Sequence, residues 1–163
     1  MKALEARQAA STLVAKSRWG ALATTCDDGT PLASQVAVAP AHGGVLLMHL
    51  SQLAEHTRNL TQRPAVSVVM GQPDIGDPDP QTLARISILG MATLLAPGAA
   101  GYEAAKAAYL SALPAAESRF VFTDFGLYAL APTRAQYVGG FARAFRFNAQ
   151  DSRQLLGEAV APA

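Results

Sequence analysis

SQLAEHTRNLTQRPAVSVVM, residues 51–70, reads as a short helix delivered between two strands. Ser51 is placed to cap the helix by accepting a backbone N–H, Glu55 falls in the positive first turns, and Pro64 closes the helix. The period-two run Val66, Val68, Met70 that follows is a strand. A helix start set in this way is an anion site: its free N–H groups and dipole favour a phosphate, with Ser51, His56 and Arg58 as donors. The helical wheel predicts Leu53, Thr57 and Leu60 as the inward stripe, with His56 at its border and Glu55, Arg58 and Asn59 outward. A histidine in that position is either a ligand contact or a core-edge residue satisfied by a backbone carbonyl.

Working outward, Val45 to Leu50 is the strand that feeds this helix. The N-terminal side predicts a helix over about residues 3–17, a strand Trp19 to Thr25, a turn at Cys26–Thr30 and a second strand Leu32 to Ala39. On that strand Leu32, Ser34, Val36 and Val38 share one face, and Ala33, Gln35, Ala37 and Ala39 the other. A face of alanines leaves room for something to lie against it. Pro40, Gly43 and Gly44 form the next turn. On the C-terminal side GQPDIGDPDPQT, residues 71–82, is a surface loop, a lid, dimer arm or spacer. Leu83 to Leu95 is a long strand with Arg85, Ser87, Leu89 and Met91 on one side and Ile86, Ile88 and Gly90 on the other. Residues 101–112 are helical up to Pro114, Phe120 to Leu130 and Gln136 to Phe147 are strand-like, and the tail from Asp151 is a short helix carrying little information. Helices do not alternate with every strand, so the pattern is mostly antiparallel β, a barrel with peripheral helices.

Composition bounds the function. The 163 residues are 50% hydrophobic and 15% charged, which suits one domain over residues 1–163 with a sizeable core. Net charge is +1 with 13 scattered Lys and Arg, which leaves no footprint for nucleic acid or an anionic membrane surface. The single cysteine, Cys26, fits a reducing compartment, and no signal or membrane-spanning stretch is visible, so a cytoplasmic location is expected. His42, His49 and His56 span a turn, a strand and a helix with no Cys nearby, so no metal site is expected. No GxSxG, GxxxxGK or HExxH motif occurs, which removes the hydrolase, NTPase and metalloprotease readings.

Four stretches in order carry a family resemblance: PLASQVAV, LSQLAEHTRNLTQRPAVSVVM, DPDPQTLARISILG and FTDFGLYALAPTRAQYVGGFARAF. Over about residues 11–147 they resemble the FMN-binding split-barrel family, which includes pyridoxamine 5′-phosphate oxidase, and look most like its haem-utilisation branch. The resemblance implies a six-stranded antiparallel split β-barrel that forms a homodimer, with two FMN sites at the dimer interface. It implies that Ser34, Gln35 and Val36 lie along the flavin and its phosphate, that Ser51 stands at the helix entrance, and that His56 replaces a phosphate-holding lysine. Arg58 is a further candidate at that helix. Arg85 matches a polar residue that reaches the flavin, or pairs with Asp77 or Asp79. Tyr137 and Arg143 match an aromatic residue beside the flavin and an arginine beside the substrate, both from the other subunit. Asp124 either orients a donor or is a turn residue.

Departures from the family redirect the substrate. A lysine and an arginine that grip the substrate phosphate in the oxidases are here Ala39 and Leu113, a loss of two charge-assisted bonds of about 1.5–3 kcal/mol each. Pyridoxamine phosphate is therefore not the expected substrate. All three histidines lie in the first half, so no C-terminal histidine ligates haem. The sequence supports an FMN-dependent oxidoreductase acting on a small molecule, with a flavin- or haem-binding carrier, sensor or haem-degrading protein as the alternative.

Overall fold

The computed structural model describes residues 3–76, 79–140 and 143–160. The chain runs α1 (Ala3–Lys16), β1 (Trp19–Thr25), β2 (Pro31–Ala37), β3 (Ala39–Ala41), β4 (Val45–Ser51), α2 (Glu55–Gln62) and β5 (Ala65–Gly71). It continues with β6 (Arg85–Leu95), α3 (Tyr102–Ala112), a 3-10 segment Pro114–Val121, β7 (Phe125–Val138), β8 (Ala144–Phe147) and α4 (Ala149–Glu158). Every strand pairing is antiparallel, in the order β2-β1-β5-β6-β7-β4-β3, with β8 added to the outer half of β7.

Eight strands and the six expected from sequence are reconciled at Val38. β2 and β3 are one bent strand: its first half pairs with β1, its second with β4, and Val38 donates to the Arg18 carbonyl at 3.2 Å between them. The bend closes six long strands on themselves. Pro40, expected in a turn, lies in β3 opposite Leu46, at the end of the sheet path where a missing N–H is tolerated. β8 is the short return after Gly139 and Gly140.

Alternation sorts the side chains. Leu22, Val36, Val68, Met70, Ile86, Ile88, Leu130 and Tyr137 fill the barrel interior, and α1 adds Ala6, Ala10 and Val14 to the same core. The C-terminal helix is a structural part of that core. Leu155 and Leu156 of α4 are fully buried in it, and Asn148 caps the helix by accepting from the Asp151 N–H at 2.9 Å. Each such leucine contributes about 1.5–3 kcal/mol of burial.

β4 is apolar on both faces because both are covered: Leu46, Met48 and Leu50 face the interior, while Leu47 lies in a second core with Tyr109, Leu113 and Ala116 under α3 and the 3-10 segment. The strand expected from Phe120 begins instead at Phe125, since Pro114 starts a 3-10 run that lays Phe120 flat on His49. Two glycines are required locally. Gly29 has φ 83° in the β1–β2 turn, and a Cβ on Gly90 would collide with the Ala131 carbonyl where β6 and β7 shift register.

Candidate functional site

The helix at the head of α2 differs from its sequence reading. Its N-cap is Ala54, with no side-chain cap. Ser51 still belongs to β4; its hydroxyl donates to Asp124 Oδ2 at 3.1 Å and accepts from the Leu53 N–H at 3.2 Å, while the Asp124 carbonyl accepts from Gln52 at 2.6 Å. Ser51 and Asp124 thus tie β4 to the start of β7. Leu53, expected inward, is 75% exposed because it precedes the helix rather than riding its inner stripe. Asn59, expected outward, is buried, donating to Thr24 Oγ1 at 3.1 Å and Cys26 Sγ at 3.5 Å. Thr57 and Leu60 are buried as the wheel required.

Ser51 and Arg58 at this end are engaged within the chain. A cavity of about 590 Å³ along α2 and the Cys26–Thr30 turn carries Asp28 and Glu55 with Arg58, while Asp27 is paired with Arg63 at 2.8 Å at the C-terminal end of the helix. Arg58 folds back, donating to the Leu53 carbonyl at 2.7 Å. Burial holds the His56 imidazole below its ordinary pKa, so it is neutral near pH 7 and offers no charge to an anion. Asp28 is held low by its hydrogen bonds to Thr30 and stays ionised.

The remaining predicted residues divide between the two faces of the barrel wall. One register row, Ser34, Leu22, Val68, Ile88, Ala135 and Phe147, turns inward; the next, Gln35, Ala21, Val69, Ser87, Gln136 and Arg146, turns outward. Val36 and Tyr137 are interior side chains, each 4% exposed, so Val36 can meet a ligand only through its backbone. Tyr137 lines the core, where burial raises its phenol pKa. Arg85 faces out at the start of β6 and donates to the Gln81 and Leu83 carbonyls, both at 3.1 Å, rather than to Asp79; Asp77 lies outside the described residues. Arg143 is exposed beyond the β7 end. Ala39 and Leu113, at the family's two cation positions, are buried in the second core, where no unpaired charge is tolerated.

The outer wall is the candidate site. Small side chains, Ala21, Ala23, Ala33, Ser67 and Ser87, leave the sheet surface open to a flat group. Two cavities of about 410 and 440 Å³ adjoin on it, sharing Leu89 and Arg134. Arg134 and Arg146 line them, and among the described residues no acidic side chain pairs with either. Arg85 stands further along the same face. Arg134 and Arg146 share outward parity on β7 and β8, a signal no local pattern reveals because it depends on the β7–β8 pairing. Their chemistry is recognition of an anion attached to an apolar body. Met91 is the one lining residue that can donate sulfur to a metal.

The three histidines are separate: His42 is exposed, His56 half-buried, and His49 is 8% exposed and stacked on Phe120 at 3.8 Å. Among the described residues no three His, Cys, Asp or Glu side chains are placed to hold a metal ion. No helix among them is long and apolar enough to cross a membrane.

Residues 1–150 match the family model described as the CREG β-barrel. The chain belongs to the CREG β-barrel family. Among relatives of this CREG β-barrel chain, HOZ, a chloroplastic non-canonical haem oxygenase of Arabidopsis thaliana, is 31% identical over 127 residues, 78% of this chain and 37% of HOZ. A haem-binding protein of Mycobacterium smegmatis superposes with a TM-score of 0.82 at 32% identity, covering 91% of this chain and 60% of that one. A Clostridium acetobutylicum protein of the pyridoxinephosphate oxidase family, related to general stress protein 26, has a TM-score of 0.68 at 11% identity. That match covers 91% of this chain and 97% of the other, a likeness of fold alone. The chain thus spans less than two thirds of the length of both haem-associated relatives. The split-barrel fold and the family expected from sequence are borne out, with the haem-utilisation side of that family the nearer.

Proposed function

We propose that this protein binds a tetrapyrrole, haem foremost, on the outer barrel wall and acts in haem utilisation. The observation that carries the reading is the pairing of an open, small-residue sheet face with two arginines that have no acidic partner among the described residues. A tetrapyrrole dicarboxylate is flat, apolar and anionic at one edge, and the adjoining cavities have the size of ordinary ligand sites. Arg134 and Arg146 would hold its carboxylates, Ala23, Ser67 and Leu89 would lie against its plane, and the Met91 thioether would be the side chain of this wall able to ligate the iron. Bound haem supplies redox and oxygen chemistry; the chain's part is to bind, orient and shield it. The haem-associated names of the two relatives near 31–32% identity support this reading.

A homodimer belongs to the same proposal. Trp19, Val69 and Met91 are 57%, 41% and 42% exposed on the outer wall, and a second copy over them would enclose the ligand. The second reading is an FMN-dependent oxidoreductase, supported by the fold and by Gln35, Ser87 and Arg85 on the same wall. It requires a phosphate grip from Ser51, His56 and Arg58, where Ser51 is engaged with Asp124 and Arg58 with the Leu53 carbonyl.

Titration with haemin and, separately, with FMN tests both. A saturable Soret shift with haemin, lost in the Arg134→Gln/Arg146→Gln variant, together with weak FMN retention, is the expected result. Retention of FMN with no haemin shift would overturn the haem reading. Adding a reductant in air then separates a carrier, whose Soret band persists, from a haem-degrading enzyme, whose band is lost.

A further inference from the structure

β6 outruns β5 at one end of the barrel. β5 begins at Ala65, opposite Met91, whereas β6 continues to Leu95 beside β7. Ala92 N–H still reaches the Pro64 carbonyl at 2.8 Å; alternation along the ladder turns the Leu94 N–H the same way two residues on, where β5 no longer runs. A cavity of about 360 Å³ occupies this gap, between the C-terminal half of α2 and the ends of β6 and β7, and it shares no lining residue with the two cavities of the outer wall. Leu60 and Ala92, both buried, give it an apolar floor, and Ala92 is small where a larger inward side chain would fill the space. Tyr128 is the polar group set into that floor. It is 4% exposed, and its hydroxyl makes no hydrogen bond among the described residues. The buried polar atoms sealed off without a partner are Arg7 Nε, His49 Nδ1 and Thr57 Oγ1; the Tyr128 hydroxyl is not one of them, so it keeps access through the cavity that its ring lines. Gly126, on the same face, makes the placement possible: a Cβ there would lie 2.8 Å from Leu94 Cδ1 and 3.1 Å from Tyr128 Cε2, so the ring and Leu94 take the room of the missing side chain.

We propose that this barrel-end cavity is a second ligand site, taking a small neutral aromatic ring that bears a carbonyl, an aryl ketone. The ring would lie on Leu60 and Ala92, and the carbonyl oxygen would accept from the Tyr128 hydroxyl, with the Leu94 N–H as a second donor. The chemistry of the lining selects this class. No Lys, Arg, His, Asp or Glu lines the cavity, so nothing offsets the desolvation of an ionised ligand. Thr61 spends its hydroxyl proton on the Thr57 carbonyl at 2.8 Å and Thr93 stands exposed at the rim, which leaves the phenol as the buried donor in want of an acceptor. The volume lies at the lower end of the range for small-molecule sites, the size of one substituted ring.

Titration of the isotope-labelled full chain with acetophenone, ethylbenzene and benzoate, followed by amide chemical shifts, tests the proposal. Acetophenone should give saturable shifts centred on Leu60, Thr61, Thr93 and Leu94. Ethylbenzene, with a methylene in place of the carbonyl, should bind roughly fivefold to tenfold more weakly, the scale of one hydrogen bond to a buried donor. Benzoate should leave these signals unmoved. Tyr128→Phe keeps the ring and breaks no bond of the folded chain, so it should bring acetophenone down to ethylbenzene with Tm unchanged. Thr61→Phe, at an exposed position of α2 that lines the cavity, should block both ligands, and circular dichroism checks that the fold is spared. Equal binding of acetophenone and ethylbenzene, no effect of Tyr128→Phe, benzoate binding as tightly as acetophenone, or shifts centred elsewhere would each overturn the proposal. An absence of saturable shifts with acetophenone would do so as well. Because the haemin titration uses other residues, failure here leaves the haem reading standing, and the reverse.

Discussion

Replacing His49 by phenylalanine should remove one identifiable component of the acid sensitivity of the fold. His49 lies on β4 between the barrel and the 3-10 segment, its ring parallel to Phe120 within 4° and 5.2 Å from Phe125. Its Nδ1 is buried without a partner. Burial first, then the charges of Arg119 and Lys106, push its pKa down from 6.5 to about 4. The sign follows from proton counting. Below pH 6.5 the unfolded chain takes up a proton at His49 that the folded chain refuses until about pH 4, so stability is full above 6.5 and falls as pH drops. At about 1.4 kcal/mol per pKa unit, the fall between pH 7 and pH 5 is about 2 kcal/mol. Phenylalanine keeps the stack on Phe120, takes no proton, and removes the orphaned nitrogen. Urea melts of the wild type and His49→Phe at pH 7 and pH 5 read the difference, and titrating carboxylates cancel because both proteins share them. The wild type should lose about 2 kcal/mol more than the variant. Equal losses would refute the assignment of the low pKa to a neutral, buried imidazole.

Other perturbations follow from single contacts. Asn59→Ala leaves Thr24 Oγ1 without its donor in a buried site and should cost about 1–3 kcal/mol in chemical denaturation. Leu155→Ala opens a cavity between α4 and the barrel and should cost about 2–5 kcal/mol, enough for a clear drop in Tm by scanning calorimetry. Asn148→Ala removes the α4 cap and should cost about 0.5–2 kcal/mol, read as faster amide exchange in the first turn of α4. Haemin affinity should weaken as ionic strength rises, and this dependence should flatten in Arg134→Gln/Arg146→Gln, since exposed charges are screened.

Where the sequence pattern was unambiguous, it located the elements. Trp19–Thr25 and the alternation of Arg85 and Ile86 along β6 follow directly from period two, since one face is buried and the other wet. The bend at Val38 was not legible, because a proline at position 40 ordinarily signals a turn and only the β3–β4 pairing shows it inside a strand. The 3-10 segment hid for a related reason. Phe120, Val121 and Phe122 look like a strand, yet Phe120 is placed by stacking on His49, a contact 71 positions distant in the chain that no local pattern encodes. Around α2 the wheel failed by placing the cap at Ser51: the helix starts at Glu55, which takes Leu53 off it, and Asn59 is inward because its amide reaches Thr24 Oγ1 and Cys26 Sγ, contacts no local pattern encodes. Gln35 and Arg85 do stand on the outer wall, whereas Tyr137 is interior. Arg134 and Arg146 became visible only once β8 was paired with β7.

The most direct test of the outer-wall account is an NMR map of the protein with ferric haemin, whose unpaired electrons broaden nearby resonances. The account predicts broadening centred on Ala21, Ala23, Ser67, Ser87, Leu89 and Gln136, with α3 signals retained, and loss of the pattern in Arg134→Gln/Arg146→Gln. Broadening centred instead on α2 around His56 and Arg58, with the outer wall unaffected, would contradict it.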